Sequence, residues 1–343
     1  MRKIFKRLFL IGICWFSLLL LLGCSQREEE IAFFIYTDDD TFIAELMNYL
    51  TPNMPGNIAF EVHVAGKSQS VQNQQIVERI EAGADLLVIN AVDRLASSAI
   101  VARSAKDNVP VIFFNREPLE GVIASTENIF YVGIDAIGMG RRQADMVADL
   151  FTENFAGSGF DRNNDGIIQI VVLKGERGHQ DAERRTDNSI ARIMELGFEV
   201  ELLAIEVADW NRSDGFDAMR RLYERYGDII ELVFSNNDDM ALGAIDFLLD
   251  AEIFSEGLSA CEQPFIIVGV DGTTVGLEAI ERGLLYGTVN NDAVAQANAI
   301  LALIDFILND RDFDEFPYEL MHDRYILFDS DIITEENLTE FIR

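Results

Sequence analysis

The chain has 343 residues, 49% of them hydrophobic, and its 59 acidic and 27 basic residues give a formal net charge of −32 at pH 7. This length is ample for two hydrophobic cores, and so acidic a surface excludes nucleic acid as the expected partner. The charge also favours attraction of cations, but a solvated acidic surface by itself identifies no ligand.

Residues 1–23 predict a lipoprotein signal peptide. A basic segment precedes an apolar segment at 8–22, and Leu22-Gly23-Cys24 closes it. This order is typical of a cleaved secretory signal, and a cysteine directly after the cut resembles a bacterial lipobox. A transmembrane anchor is the alternative, but the apolar segment is short for a full span. We therefore expect a lipid on Cys24 that anchors the protein to a membrane surface, and a polar tether at 24–30.

Removal of the signal changes the charge and the cysteine inventory. Four positive charges leave with it, which takes the charge from −32 to −36. Cys14 leaves too, and Cys24 carries the lipid, so Cys261 remains alone and no intrachain disulfide is expected.

Beyond the tether, apolar segments of strand length alternate with segments of helix length. The expected strands are 31–36, 58–64, 86–90, 109–114, 129–134, 168–173, 200–205, 232–234, 265–270 and 285–289. The expected helices are 42–50, 70–82, 93–106, 138–155, 182–196, 213–225, 241–249, 275–282 and 293–308. Apolar strands that alternate with helices favour parallel sheets covered on both faces. We therefore expect an α/β fold with two doubly wound parallel-sheet lobes joined by a hinge.

The segment 161–169 has the spacing of a calcium loop. Oxygen side chains occupy loop positions 1, 3, 5 and 9, a glycine occupies position 6, and position 7 offers a backbone carbonyl. An ordinary helix–loop–helix hand closes with a glutamate at position 12, but here that position is Val172, inside an apolar run. The loop therefore precedes a strand, and its missing carboxylate must come from elsewhere. An Asn/Asp/Gly-rich turn is the alternative. The residues concerned are Asp161, Asn163, Asp165, Gly166, Ile167 and Gln169.

Polar side chains follow the expected strands, where ligands bind in parallel α/β sheets. Carboxylates and arginine make charge-assisted hydrogen bonds to hydroxyls, and an aromatic face packs well on C–H edges. The pattern predicts a hexose site in a cleft between two lobes. The residues at these strand ends are Asp38, Asp39, Asp40, Phe42, Asn115, Arg116, Glu117, the segment 174–185, Trp210, Asn236, Asn237, Asp238, Asp271, Asn290, Asn291 and Asp292.

The mature chain resembles the periplasmic galactose/glucose-binding protein family over nearly its whole length. The matching segments include Asp39-Asp40-Thr41-Phe42, Phe113-Phe114-Asn115-Arg116-Glu117-Pro118, the calcium loop, Gly178-His179, Asp181-Ala182-Glu183, Asn236-Asn237-Asp238 and Gly269-Val270-Asp271. The chain departs from the family in its lipobox and at Arg116, where lysine is usual. It also departs at Arg162, whose side chain should point outward. At Asn290 the departure leaves two amides that could face the sugar, of which Asn291 is favoured.

The resemblance selects ten sugar-binding candidates from these strand ends. It implies that a pyranose stacks between Phe42 and Trp210. The hydrogen-bonding residues that it implies are Asp40, Asn115, His179, Asp181, Arg185, Asn237, Asp271 and Asn291. It also implies that Glu231 supplies the missing carboxylate to a structural Ca²⁺ held by the loop. The implied metal ligands are Asp161, Asn163, Asp165, the carbonyl of Ile167, Gln169 and Glu231.

The implied architecture is a type I periplasmic binding protein. The first lobe would contain 31–134 plus 291–327, and the second, with the calcium loop, 135–290 plus 328–343. The hinge crossings are expected at 134–135, 290–291 and 327–328. The implied function is a non-catalytic, monomeric receptor that captures D-glucose or D-galactose and delivers it to an ABC-type permease. It would lie in the periplasm or cell envelope, anchored by lipid.

Besides this receptor, three other functions are relevant to the sequence. A partnership with a chemoreceptor or sensor kinase is a variant that the sequence leaves open. A sugar-processing enzyme of the cell envelope is the alternative, because acids and a histidine are present, although no nucleophile motif follows the strands. A sugar-responsive repressor is disfavoured, because no DNA-binding helix pair precedes Ile31 and the signal exports the chain.

Overall fold

The computed structural model of the protein describes residues 29–119, 121–152, 159–322 and 324–342. The expected signal peptide at 1–23, the lipid-accepting Cys24 and residues 25–28 of the expected tether lie outside the described residues. None of the helices in the described ranges combines the length and the apolar character needed to cross a membrane.

Two six-stranded sheets form the framework of the described chain. In chain order the strands are β1 Glu29–Ile35, β2 Ile58–Val64, β3 Leu86–Ile89, β4 Val111–Phe114, β5 Ile129–Ile134, β6 Ile168–Lys174, β7 Val200–Val207, β8 Leu232–Ser235, β9 Ile266–Val268, β10 Gly287–Val289, β11 Tyr325–Phe328 and β12 Ile332–Thr334. The first sheet has the strand order β11-β5-β4-β3-β1-β2 and the second has the order β12-β10-β9-β8-β6-β7. The pairings are parallel, except that β12 runs antiparallel to β10. The predicted α/β fold with two parallel-sheet lobes is therefore confirmed.

Helices alternate with these strands, and several begin at a side chain that caps them. Asp40 accepts the N–H of Ile43 at 3.0 Å, and Asn237 accepts the N–H of Met240 at 3.0 Å. Such caps satisfy N–H groups that the helix itself leaves unpaired. The helices are α1 Thr41–Leu50, α2 Gln69–Ala82, α3 Ser97–Lys106, α4 Ala136–Thr152, α5 Gln180–Glu195, α6 Arg212–Tyr226, α7 Asp238–Asp250, α8 Thr274–Glu281 and α9 Ala293–Leu308.

Each sheet has a buried apolar core on both of its faces. In β1, Phe33 and Phe34 point to opposite faces and belong to separate core clusters. In β6, Val171 and Val172 do the same for the second sheet. Because both faces are buried, inner strands such as β3 and β4 are continuous apolar runs in the sequence, whereas the edge strands β2 and β7 include exposed residues.

The chain passes between the lobes three times. The crossings lie at Asp135, at 290–292 and at 329–331. Backbone hydrogen bonds connect the first two to the third crossing or to the end of the strand before it. The Asn290 N–H donates to the carbonyl of Asp331 at 2.8 Å, and the Asp135 N–H donates to that of Phe328 at 3.4 Å. The third crossing was expected at 327–328, but Leu327 and Phe328 pair with β5 in the first sheet, so the crossing follows β11. Between the second and third crossings, α9 returns to the first lobe and packs against α1.

The expected tether also ends earlier than predicted. Glu29 and Glu30 belong to β1, because they pair with Ile58 and Ala59 of β2. In addition, the Glu30 N–H donates to the carboxylate of Asp85 at 2.9 Å. Backbone pairing at the edge of the sheet therefore orders two acidic residues that composition alone assigns to a linker.

Other helix and strand boundaries differ from the predicted ones where short-range hydrogen bonds determine them. The expected helix at 93–106 begins as a 3₁₀ turn at Arg94–Ala96, which Asp93 caps by accepting the N–H of Leu95 at 2.9 Å, and α3 follows. The expected helix at 138–155 begins at Ala136, and residues 153–155 lie outside the described residues. The strands β11 and β12 were not predicted, because four and three residues carry too little periodicity.

Candidate functional site

A small cavity lies between the lobes, beside the carboxyl ends of the strands. Its volume is ≈ 30 Å³. A ligand would reach a cavity between two lobes when the lobes separate about a hinge, which here would lie at the three crossings. The lining residues are Tyr36, Asp40, Phe42, Asn115 and Arg116 of the first lobe, and His179, Asp181, Arg185, Trp210, Asn237 and Asp271 of the second.

Two aromatic side chains from opposite lobes border this cavity. Phe42 lies in the first turn of α1, Trp210 follows β7, and both are buried. Trp210 has a left-handed backbone with φ 65°, and the side-chain N–H of Asn237 donates to its carbonyl at 3.2 Å. A Cβ added to Gly175 would lie 2.3 Å from the indole ring. Only glycine therefore allows the ring to lie against the end of β6.

Arg185 forms the centre of a charged network in the second lobe. Its Nη1 donates to the carbonyl of Asn236 at 2.8 Å and lies 3.8 Å from the carboxylate of Asp271, while Nη2 lies 3.7 Å from that of Asp181. Burial raises the pKa of both carboxyl groups, and the charge of Arg185 opposes the rise. The buried Nε of Arg185 has no hydrogen-bond partner among the described residues. The network thus keeps one unused donor on a side chain whose other nitrogens lie near two carboxylates.

His179 is held as a neutral ring. Burial lowers its pKa well below the usual range, and the charges of Arg116 and Arg185 lower it further. Its Nδ1 accepts the N–H of Asp181 at 3.2 Å, so the proton of the neutral ring is on Nε2. The ring lies edge-on to Trp210, with the centroids 5.0 Å apart. His179 therefore offers the cavity one N–H donor.

The first-lobe wall is built around Tyr36 and Arg116. The Tyr36 hydroxyl donates to the carboxylate of Asp40 at 2.5 Å. The Arg116 guanidinium lies 3.9 Å above the Tyr36 ring, and its Nη1 is 3.0 Å from the carboxylate of Glu176 in the other lobe. Asn115, with φ 58°, completes this wall. The wall thus supplies a carboxylate, an amide and a cation.

Asn291 lies behind Asp271, away from the cavity wall. Its side-chain N–H donates to the Asp271 carboxylate at 3.1 Å, and its side-chain oxygen accepts from Gln296 at 2.6 Å. These two bonds fix which way the amide faces. Asp271 itself has the strained φ of 123°. Asn291 therefore positions the carboxylate of Asp271.

The structure brings nine of the ten predicted sugar-binding residues to one cavity. The cavity is also lined by Tyr36 and Arg116, which are not among the ten. Arg116 is one of the polar residues at the predicted strand ends, but it was not selected as a sugar-binding candidate. Tyr36 was missed, although it ends the first expected strand. The nine are Asp40, Phe42, Asn115, His179, Asp181, Arg185, Trp210, Asn237 and Asp271.

The expected calcium ligands lie at the other end of the second sheet. The loop precedes β6, and Glu231 precedes β8, which pairs with β6. The buried carboxylate of Glu231 accepts the N–H of Arg162 at 2.7 Å and that of Gln169 at 3.1 Å. The pairing of two parallel strands thus brings Glu231 to the loop.

The loop is closed by its own acceptors. The Asp161 carboxylate accepts the N–H groups of Asp165 at 3.0 Å and Gly166 at 3.2 Å, and Gly166 has the left-handed φ of 77°. The Asn163 side-chain oxygen accepts the Asp165 N–H at 2.9 Å. The side-chain N–H of Gln169 donates to Asp165 at 2.9 Å, whereas its buried oxygen has no partner among the described residues.

This donor set fits a hard cation. Burial raises the pKa of Glu231 to about 7. The charges of Asp161 and Asp165 also raise this pKa, whereas the two backbone N–H groups that donate to Glu231 lower it. The Arg162 side chain turns away and donates to the carbonyl of Pro264 at 3.2 Å. No group of three or more His, Cys, Asp or Glu in the described ranges is arranged to hold a metal, and this includes the carboxylates of Asp161, Asp165 and Glu231. The fit rests on the oxygen types of the set, because Ca²⁺ takes carboxylate, amide and backbone carbonyl oxygens together.

Comparison with known proteins gives matches along nearly the whole described chain. Residues 31–312 match the model of a periplasmic binding protein domain. The chain is 33% identical over 321 residues to the D-galactose/methyl-galactoside binding periplasmic protein of Haemophilus influenzae, and the match covers 92% of both proteins.

Solved structures give similar matches. An ABC transporter solute-binding protein from Bacillus halodurans with bound myo-inositol has a TM-score of 0.74 at 26% identity, over 93% of this chain and 98% of that one. A periplasmic solute-binding protein from Actinobacillus succinogenes with bound D-allose has a TM-score of 0.75 at 18% identity, over 91% and 99%. The second likeness shows the fold alone.

Proposed function

Because the chain belongs to the periplasmic binding protein family, we propose that it captures a hexose between its lobes and delivers it to an ABC-type permease. The observation that carries this proposal is the pair of aromatic side chains, Phe42 and Trp210, which border one cavity from opposite lobes. An aromatic face packs well on the C–H face of a pyranose. Charged and amide groups surround the pair, as buried sugar hydroxyls require, because each one left unpaired costs about 1–3 kcal/mol.

D-Glucose and D-galactose are the hexoses that we propose. The name of the Haemophilus influenzae relative specifies galactose, and the two lobes offer acceptors on either side of the cavity. Asp40, whose carboxylate is held by the Tyr36 hydroxyl at 2.5 Å, would accept from the hydroxyl at which these two epimers differ. A carboxylate has enough acceptor sites to serve either epimer.

A sugar-processing enzyme of the cell envelope is the alternative function, and the comparisons give it no support. The relatives found are substrate-binding transport proteins. Family membership therefore favours a non-catalytic receptor in the periplasm. The proposal includes one structural Ca²⁺ held by Asp161, Asn163, Asp165, the carbonyl of Ile167, Gln169 and Glu231.

Lipid anchoring is the part of the proposal that rests on Cys24. Cys24→Ser should prevent lipidation, so the protein should leave the membrane fraction or remain unprocessed. Immunoblots of membrane and soluble fractions measure this. A chain that starts at Glu28 should bind sugar as the full protein does, because the cavity lies wholly within the lobes. A normally cleaved Cys24→Ser protein that stays in the membrane would contradict the anchor.

Trp210 provides the test of the site itself. The sequence contains two tryptophans, and Trp15 lies in the signal segment, so Trp210 is the only indole of the mature chain. Sugar that stacks on it should change its surroundings, and intrinsic fluorescence should therefore change saturably with glucose or galactose. An amino acid should produce no change.

Two variants control this experiment. Trp210→Phe should abolish the fluorescence response while calorimetry still detects weaker binding. Phe42→Ala should weaken binding through loss of the opposite ring, an aromatic contact worth about 0.5–1.5 kcal/mol beyond its buried area. If calorimetry detects hexose binding while Trp210 emission in the wild type stays silent, the stacking role of Trp210 is wrong.

A further inference from the structure

A carboxylate of the second lobe caps a helix of the first. Asp239 lies in the first turn of α7 and is buried. Its carboxylate accepts the hydroxyl of Thr41 at 2.8 Å and the Thr41 backbone N–H at 3.3 Å. Thr41 is the first residue of α1. The N–H groups of a first turn lack intrahelical partners and carry partial positive charge, so this contact stabilises an anion at the lobe boundary.

The reverse contact lies next to it. Glu45, on α1 of the first lobe, accepts the backbone N–H of Thr274 at 2.9 Å. Thr274 is the first residue of α8 in the second lobe. Each lobe thus offers one carboxylate to the start of a helix in the other. We call these two contacts, Asp239 with Thr41 and Glu45 with Thr274, the interlobe latch.

The latch is separate from the cavity. None of its four residues is among the residues that line the cavity. The contacts join elements that belong to different sheets, so they break when the lobes separate. Their free energy therefore stabilises the closed arrangement alone, and it does so whatever the ligand is.

We propose that the interlobe latch sets the population of the closed conformation and thereby the affinity for every ligand by one common factor. The proposal rests on the proposed function, in which the lobes close on a hexose. Apparent affinity falls in proportion to the fraction of binding-competent molecules. A residue that touches the sugar changes affinity differently for different sugars, whereas a latch residue leaves their ratio unchanged.

Neutral replacements of the two carboxylates test this. Asp239→Asn and Glu45→Gln should each raise the Kd for glucose and for galactose by the same factor. For the buried Asp239 that factor is about tenfold, since a charge-assisted bond becomes a neutral one. The rate of sugar dissociation should rise with it. Calorimetry gives the two Kd values, and stopped-flow measurement gives the rate.

Asp214→Asn is the matched control. Asp214 is an exposed acid in the first turn of α6, so its replacement changes the charge at a helix start without touching the first lobe. Its Kd values should equal those of the wild type.

Thr41→Val removes the partner of Asp239 in the other lobe. Because both substitutions break the same contact, the double variant Thr41→Val/Asp239→Asn should raise the Kd by less than the product of the two single-variant factors. If the double variant raises the Kd by the full product of the two factors, the latch is wrong. It is also wrong if Asp239→Asn changes the ratio of the Kd for glucose to the Kd for galactose.

Small-angle X-ray scattering of the sugar-free proteins tests the latch independently of the ligand. The double variant Asp239→Asn/Glu45→Gln should have a larger radius of gyration than the wild type, because fewer of its molecules are closed. Equal scattering curves with unchanged Kd values would overturn the latch. A wild type that binds no hexose would overturn the proposed function, and the scattering comparison would still decide on the latch.

Discussion

Asp271→Ala is expected to raise the Kd for glucose and galactose by about 10–150-fold. The buried carboxylate of Asp271 lies 3.8 Å from Arg185 and is held by Asn291. Its replacement removes a charge-assisted hydrogen bond to a sugar hydroxyl, worth about 1.5–3 kcal/mol. It also leaves Arg185 with one carboxylate fewer. Calorimetric titration with both hexoses measures the loss.

Arg185→Ala should give a loss of similar size, because the side chain holds two carboxylates and an unused Nε donor. Arg192→Ala is the matched control. Arg192 lies on the same helix, but it pairs with Asp145 at 2.7 Å on a half-exposed face. Its loss should leave the Kd unchanged. His63→Ala, on edge strand β2, should also leave the Kd unchanged.

Wild-type affinity in a folded Asp271→Ala protein would mean that the sugar binds elsewhere.

Local sequence predicted most of the framework because the inner strands, such as β3, β4 and β5, are buried on both faces. The segments 58–64, 129–134 and 293–308 form elements with the expected bounds. Helix starts were less predictable, since they depend on a side chain that accepts one particular N–H. α7 begins at Asp238, three residues before the expected 241, because Asn237 caps it. Neither a capping side chain nor a three-residue strand changes the periodicity of apolar residues along the sequence, from which helices and strands are predicted.

The location of the site was predictable because it follows strand ends. The resemblance then selected ten residues from those ends, and nine of them line the cavity. Asn291 also follows a strand, but the bond from Gln296 on α9 turns its amide toward Asp271. That orientation depends on packing between elements, which a strand-end rule cannot resolve. The position of Glu231 depends on the pairing of β6 with β8, so the loop alone could not identify it.

Metal removal is expected to destabilise the second lobe and to leave sugar affinity nearly unchanged. The loop and Glu231 lie before β6 and β8, whereas His179 and Asn237 lie after the same strands. A whole strand length therefore separates the two sites. An ion that binds only the folded state adds about 2.7 kcal/mol at a hundredfold excess over its Kd. Chelation should thus lower the Tm, while the Kd for glucose, measured below the melting transition, should change less than twofold.

The decisive measurement is the rise in Tm when Ca²⁺ is added to metal-stripped protein. Glu231→Gln should reduce this rise, because a neutral amide replaces a buried carboxylate of the donor set. Its absolute Tm is a poor readout, since Glu231 also accepts the N–H groups of Arg162 and Gln169 and the amide disturbs those bonds with or without metal. Glu201→Gln is the matched control: Glu201 is an exposed glutamate on the neighbouring strand β7, and its variant should keep the full rise. If stripped wild-type protein melts at the same temperature with and without Ca²⁺, the loop is an Asn/Asp/Gly-rich turn that binds no calcium.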